Sequence, residues 1–227
     1  MDKFEQILKQ LAKLALVLIV IAGVLFGSAA TLDFWQAWLF LAVYCSGAFG
    51  LVAYLIAFDP LLLERRSRGG PTAETSTVQK VAMTIFSVAF VGGLVLAGLD
   101  HRFHWSAIPL SVVLMGDGLI AVGFLIVLYV FRVNSFAAAT IELAPDQRVI
   151  STGPYALVRH PMYAGGLLLL AGIPIALGSW WGLLGVAAML PALIWRLIDE
   201  ERFLAARLPG YTQYLDHVRY RLLPLVW

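Results

Sequence analysis

Residues 14–32, 34–58, 81–99, 105–131 and 161–195 are apolar almost throughout, and short polar or charged segments separate them. The first three runs are uncharged, and each meets the roughly 20-residue length needed to cross a bilayer core as a helix. The fourth is broken only by Asp117, between Gly116 and Gly118. The fifth would extend about 50 Å as one helix at 1.5 Å per residue, against a hydrocarbon core of about 30 Å, so it must fold back. Gly178, Ser179, Trp180, Trp181 and Gly182 mark the reversal, because glycine permits the turn and tryptophan favours the membrane interface. The pattern predicts an all-α, polytopic transmembrane helical protein with about six membrane-crossing segments, the last two forming a C-terminal hairpin of two short helices. Two parts are expected: 1–132, holding four spans with their connecting loops, and 133–227, a C-terminal core of loop, hairpin and tail. The Gly23/Gly27 and Gly178/Gly182 pairs have the small-residue spacing of helix packing or turning.

Composition agrees with a membrane setting. Hydrophobic residues make up 61% of the 227 and charged residues 13%, and the mean hydropathy is +0.85, which places the chain outside the soluble range. This length leaves no room for a separate soluble catalytic domain, so any chemistry is built at the membrane. The first apolar run is too long for the core of a signal peptide and reads as a retained helix. A net charge of +2 in scattered clusters suits membrane topology rather than nucleic acid. Lys3, Lys9 and Lys13, then Arg65, Arg66, Arg68 and Lys80, mark the cytoplasmic side, and Arg132, Arg148, Arg159, Arg196 and the tail follow them there. The expected location is the inner (cell) membrane of a bacterium, with the site facing the cytoplasm. The segment 65–77, rich in Arg, Gly, Thr and Ser, reads as a solvated loop. The lone Cys45 and the scattered His101, His104 and His217 lack metal-ligand spacing, so no metal is expected.

Polar chemistry gathers at two places. Residues 147–165 form a polar, aromatic stretch immediately before an apolar helix, with Pro161 suited to the first helical position and His160 biased toward an extended conformation. Free N–H groups at that helix start, reinforced by Arg159, favour an anionic group such as a carboxylate, and Tyr155 and Tyr163 offer faces to a cation. The second place is the end of the hairpin, where Arg196, Asp199, Glu200 and Glu201 follow Trp195, with Arg196 and Glu200 four apart on one helical face. A hairpin returns the chain to the side it left, so the two patches should converge. The tail from Gly210 through Tyr211 and Tyr214 to Pro224 is placed to close over the site or lie on the lipid surface. Asp117, an acid inside a span, is by default functional, although its flanking glycines also suit a structural bond to a neighbouring helix.

Taken together, Gly153-Pro154-Tyr155, Arg159-His160-Pro161-Met162-Tyr163-Ala164-Gly165, Arg196 with Glu200-Glu201, and Tyr211 and Tyr214 before Pro224 resemble one family. It is the isoprenylcysteine carboxyl methyltransferase-like membrane methyltransferases, which include phospholipid N-methyltransferase relatives. The resemblance covers residues 134–224 and implies S-adenosylmethionine as cofactor. It implies cofactor contacts from Gln147, Arg148, Val149, Ile150, Tyr155, His160, Pro161, Met162, Tyr163 and Glu200, with Arg159 beside them, and it turns Arg196 toward the acceptor. The acceptor implied is a lipophilic small molecule or lipid within the membrane, carrying a carboxylate or an amine. A carboxylate needs no general base. An amine must shed a proton, for which Glu201 is the nearest candidate. Arg196 can grip a carboxylate or phosphate through its planar fork. Two other functions compete. A transporter would show inverted repeats and intramembrane charges on several spans, where only Asp117 qualifies. An NADPH-dependent membrane reductase of the sterol-reductase type is similar in its C-terminal architecture.

Overall fold

The structure is a computed structural model that describes residues 3–67, 69, 70, 72–74, 76–144 and 146–227. Arg68, one of the basic residues counted for orientation, lies outside the described residues. Eight helices account for most of the chain: α1 (Lys3–Ala29), α2 (Trp35–Phe58), α3 (Pro60–Ser67), α4 (Thr77–Phe103), α5 (Leu110–Val133), α6 (Pro161–Ala176), α7 (Leu183–Arg207) and α8 (Tyr211–His217). A 3-10 turn at Gly153–Ala156 precedes α6, and no strand occurs among the described residues. Four helices are long and apolar enough to span a membrane: Ile7–Ala29 within α1, then α2, α4 and α5. Their outward faces are apolar, with Ile19 and Val88 each 68% exposed, as suits a surface solvated by lipid.

The last apolar run does reverse at Gly178, whose φ of +71° lies in the left-handed region that glycine tolerates. Only the first arm of the hairpin is short. Sixteen residues of α6 span about 24 Å, whereas α7 continues past Trp195 to Arg207, because the polar residues from Arg196 onward keep the helix going beyond its apolar half. Pro161 opens α6 at its first position, as expected. Within 65–77, where a solvated loop is expected, Gly69, Thr72, Ser76 and Thr77 are exposed, but 65–67 are helical and Glu74 is buried. Asp59 caps the helix to which 65–67 belong, its Oδ1 accepting the Leu62 N–H at 3.0 Å just after Pro60 at the first position.

Glycines set the closest helix pair, though not those the spacing suggested. A Cβ on Gly172 would stand 2.7 Å from the Gly116 carbonyl oxygen, and one on Gly123 would stand 2.7 Å from that of Gly165. Two glycines seven residues apart on α5 thus face two on α6, and the backbones meet along a seam that larger residues would push apart. Gly23 and Gly27 have no neighbour within 4 Å and serve no such seam. The main core joins α1, α2, α4, α5 and α6 through Leu25, Phe34, Phe40, Leu94, Ile120 and Ile173.

Candidate functional site

The Pro161 end of α6, Glu200 and Leu204 of α7, α8 and the linker 134–152 line a polar cavity of about 100 Å³ that opens in part to solvent. Gln147, Arg148, Val149, Ile150, Tyr155, Arg159, His160, Met162, Tyr163 and Glu200 all line it. Pro161 does not: it is buried at the helix start and aims its neighbours rather than facing the space. The expected convergence of the two polar patches is therefore present. Tyr211 and Tyr214 also line the cavity, so α8 closes one wall. The tail beyond it is held by the Arg159 N–H donating to the Tyr220 carbonyl at 2.8 Å and the His160 N–H to that of Arg221 at 2.9 Å.

Local chemistry fixes the linker. Asn134 Oδ1 accepts the Phe136 N–H at 2.9 Å, and its Nδ2 donates to the Tyr155 hydroxyl oxygen at 2.8 Å. Burial pushes the Tyr155 phenol up to about 12, so the ring stays neutral beside the cavity. The Gln147 side chain turns back locally, its Oε1 accepting the Ala144 N–H at 2.9 Å.

A second, larger and mostly apolar cavity of about 450 Å³ adjoins it, lined by α4 (Met83, Phe86, Phe90), α6 (Leu169, Leu170) and α7 (Ala192, Leu193), with Tyr44 of α2. Ala138, Thr140, Ile141, Met162, Tyr163 and Glu200 belong to both cavities, so the two adjoin there. Arg196 lines only the apolar one. Its sequence neighbour in the helix, Glu200, is joined to it through a third residue: Tyr163 donates its hydroxyl to Glu200 Oε2 at 2.7 Å and accepts from Arg196 Nε at 3.1 Å. Glu200 Oε1 has no hydrogen-bond partner among the described residues. Most of the Arg196 fork is committed to protein partners. Nη1 donates to Glu74 Oε1 at 2.6 Å and Gln79 Oε1 at 2.7 Å, and Nη2 donates to the Ala139 carbonyl at 2.9 Å.

Glu201 sits elsewhere than its place in the sequence suggests. It lines neither cavity but lies behind the polar one, where Oε1 is 2.7 Å from Arg159 Nε and 3.2 Å from His160 Nε2, and Oε2 accepts from Arg221 Nε at 2.9 Å. The Arg159 contact is an ion pair without the alignment of a hydrogen bond, since that Nε has no hydrogen-bond partner among the described residues. Burial alone would raise the Glu201 carboxyl, but hydrogen bonds from His160 and Arg221 and the Arg159 charge outweigh it and hold the group at about 2. A carboxylate so stabilised is a weak base, and the role of proton acceptor expected of it does not suit this position. Arg159, expected to strengthen an anion site, is likewise neutralised from within.

Several residues here had no signal in the sequence: Glu74 and Gln79 from the first half of the chain, Thr140 and Ile141 in the linker, and Arg221. The hydroxyl of Tyr163 as a bridge is legible only once α6 and α7 stand side by side. Asp117 lines neither cavity, and both its carboxylate oxygens are buried without a hydrogen-bond partner among the described residues. No group of three or more His, Cys, Asp or Glu side chains is placed to hold a metal ion among the described residues.

Fold and site define a polytopic helical membrane protein with a polar and an apolar chamber meeting at one helix end. Residues 111–208 match the family model for phospholipid methyltransferase, which bears out the resemblance seen in the sequence over the segment that carries α6, α7 and most of the polar chamber. The match supports an enzyme, a methyltransferase working on lipid-related substrates. No curated protein matches the chain.

Proposed function

We propose that the protein transfers a methyl group from S-adenosylmethionine to a lipophilic acceptor that enters from the membrane. The observation that carries this reading is the junction of the two cavities at Met162, Tyr163 and Glu200. One chamber has the donor set for a compact polar cofactor, and the other has the walls for an acyl or prenyl chain.

The residues of the polar chamber fit the cofactor. Tyr155, Tyr163, Tyr211 and Tyr214 offer aromatic faces for a sulfonium or an adenine ring. Glu200 supplies a carboxylate for an ammonium or ribose hydroxyl, and the backbone of Gln147 to Ile150 runs along the wall. Bound there, S-adenosylmethionine would supply an electrophilic methyl carbon. The protein contributes position and electrostatics: the apolar chamber orders the acceptor chain, and the Tyr163 hydroxyl stays fixed between Glu200 and Arg196 at the junction. For an amine acceptor, Glu200 Oε1 is the carboxylate oxygen placed to receive the proton, with Glu201 positioning Arg159 and His160 from behind. Arg196, facing only the apolar chamber, belongs to the acceptor side.

The same reading sets the site on the cytoplasmic face of a bacterial inner membrane, with α6 and the apolar half of α7 completing six crossings. The Lys and Arg residues at that end of the bundle support it. Calorimetric titration of the purified protein with S-adenosylhomocysteine and with NADPH tests the function. Binding of the first is expected; binding of NADPH alone would replace this reading with the reductase one.

A further inference from the structure

We propose that Arg66 is the anion-binding group of the apolar cavity: the free edge of its guanidinium holds a carboxylate or phosphate carried by the amphiphile that enters there. The inference rests on the methyltransferase reading only for what happens to that amphiphile afterwards.

Two arginines line the apolar cavity, and the protein uses them differently. Arg196 is spent mostly on protein: Nε donates to the Tyr163 hydroxyl, Nη1 is seated on Glu74 and Gln79, and Nη2 donates to the Ala139 carbonyl. The Glu74 carboxylate, 2.6 Å away, is its counter-ion. Arg66 belongs to α3, outside the segment that matches the methyltransferase family, and makes all its hydrogen bonds through one nitrogen. Nη1 donates to the Ala137 carbonyl at 2.8 Å, with the Ala138 carbonyl at 3.4 Å and the Met162 sulfur at 3.3 Å. Nε and Nη2 have no partner among the described residues, and neither atom is sealed from a ligand. Among the described residues no carboxylate lies within ion-pair distance of Arg66.

Nε and Nη2 are the donors whose N–H bonds run parallel along one side of a guanidinium, the pair that a carboxylate or phosphate engages with two hydrogen bonds at once. The Phe131 ring, 4.7 Å from the guanidinium carbon, occupies one face of the plane and not that edge. Burial lowers the Arg66 group only to about 10, so it stays charged at neutral pH. A cation beside apolar walls is costly without a counter-ion, and here the protein supplies none. Glu200, the one acidic side chain lining this cavity among the described residues, accepts from Tyr163 and lines the polar chamber as well. An amphiphile brings both parts that the cavity lacks: a chain for Met83, Phe86, Phe90 and Leu170, and an oxyanion for Arg66.

The test uses the full chain in dodecyl maltoside micelles, which carry no anion, at a mildly alkaline pH. Dodecanoic acid, monododecyl phosphate and dodecanol compete for a fluorescent fatty acid, and protein-free micelles correct for partition. Wild type should bind at least one of the two anions on the order of tenfold more tightly than dodecanol, and the tighter of the two identifies the head as carboxylate or phosphate. Arg66→Gln, which removes the charge and the paired donors, should bring both anions to the level of dodecanol. Arg66→Lys keeps a cation near Phe131 but loses the parallel edge, and should keep only part of the preference. Equal binding of all three amphiphiles by wild type overturns the proposal, and so does an undiminished preference in folded Arg66→Gln. Should Arg66→Gln fail to fold, Arg66→Lys decides, and an undiminished preference there overturns it. S-adenosylhomocysteine is titrated into wild type in parallel. No binding there would remove the methyltransferase reading and leave the anion result standing.

Discussion

Both ends of the α6–α7 hairpin bury carboxylates, yet the polar and apolar chambers meet at only one of them. At the turn end, Asp100 is 1% exposed and fully used. Its Oδ1 accepts the Ser106 N–H at 2.7 Å, and Oδ2 accepts the hydroxyls of Ser106 and Ser179. The same hydroxyls accept in turn, Ser179 from the Gly182 N–H at 2.9 Å and Ser106 from that of Trp180 at 3.2 Å. Every group has a neutral partner within the turn, so the cluster staples the end of α4 to the hairpin and leaves nothing for a ligand. At the Pro161 end many of the partners are charged and come from segments far apart in the chain, and Glu200 Oε1 has no hydrogen-bond partner among the described residues. A polar network closed on itself is a structural device; one left open beside a cavity is where chemistry can be placed.

The contrast breaks most sharply if Glu201 is removed. It faces Arg159, His160 and Arg221, and Glu201→Ala would leave two arginines uncompensated, a loss of about 3–5 kcal/mol as for other broken buried pairs. Chemical unfolding in detergent reads this directly. The same carboxylate gives a pH signature. Its folded value of about 2 lies below the ordinary 4.5, so its contribution is complete above pH 4.5 and is lost as pH falls from there toward 2. Unfolding midpoints of wild type should fall across that window, and those of Glu201→Gln should fall less.

Next in size are Glu200→Ala and His160→Ala, each expected to weaken S-adenosylhomocysteine binding by about 1.5–3 kcal/mol, the worth of a charge-assisted hydrogen bond. If both variants are folded and bind as wild type does, the polar chamber is not the cofactor site. Asp100→Ala supplies the opposite pattern: a stability loss of about 1–3 kcal/mol from donors left unsatisfied, with cofactor affinity unchanged. An affinity loss in Asp100→Ala would show that the two ends are coupled.

What could be read from the sequence follows the range of the forces involved. The long helices are legible because lipid imposes one rule, an unbroken apolar run of sufficient length, and α2, expected at 34–58, begins one residue later at Trp35. The Gly178 reversal is legible from the same arithmetic of length. The core of the site is legible because Arg159 to Tyr163 and Arg196 to Glu201 are short, dense polar runs beside apolar ones. Glu74 and Gln79 follow no such rule. They meet Arg196 across 122 and 117 residues, a contact that no local pattern encodes, and their segment reads as solvated because its arginines and glycines outnumber its apolar residues. Glu201 shows the limit of adjacency: next to Glu200 in sequence, it points about 100° away around the helix and joins a different network.

The smallest expected change is the most discriminating. Arg196 touches the polar chamber only through Tyr163, and its own side chain faces the apolar cavity and the Glu74–Gln79 seat. Arg196→Lys keeps a positive charge beside Glu74 but has three donors on one nitrogen in place of a planar fork, and it cannot hold Tyr163, Gln79 and the Ala139 carbonyl at once. Acceptor turnover should therefore fall, while S-adenosylhomocysteine affinity stays within about threefold of wild type. Arg196→Ala should lower turnover further in the same direction, since Glu74 is then buried without its cation. A lipid-extract screen with labelled S-adenosylmethionine supplies the methylated product needed for the turnover assay. Equal losses of cofactor affinity and turnover in Arg196→Lys would place the guanidinium in the cofactor site, and the division between the two chambers would then fail at the residue that best defines it.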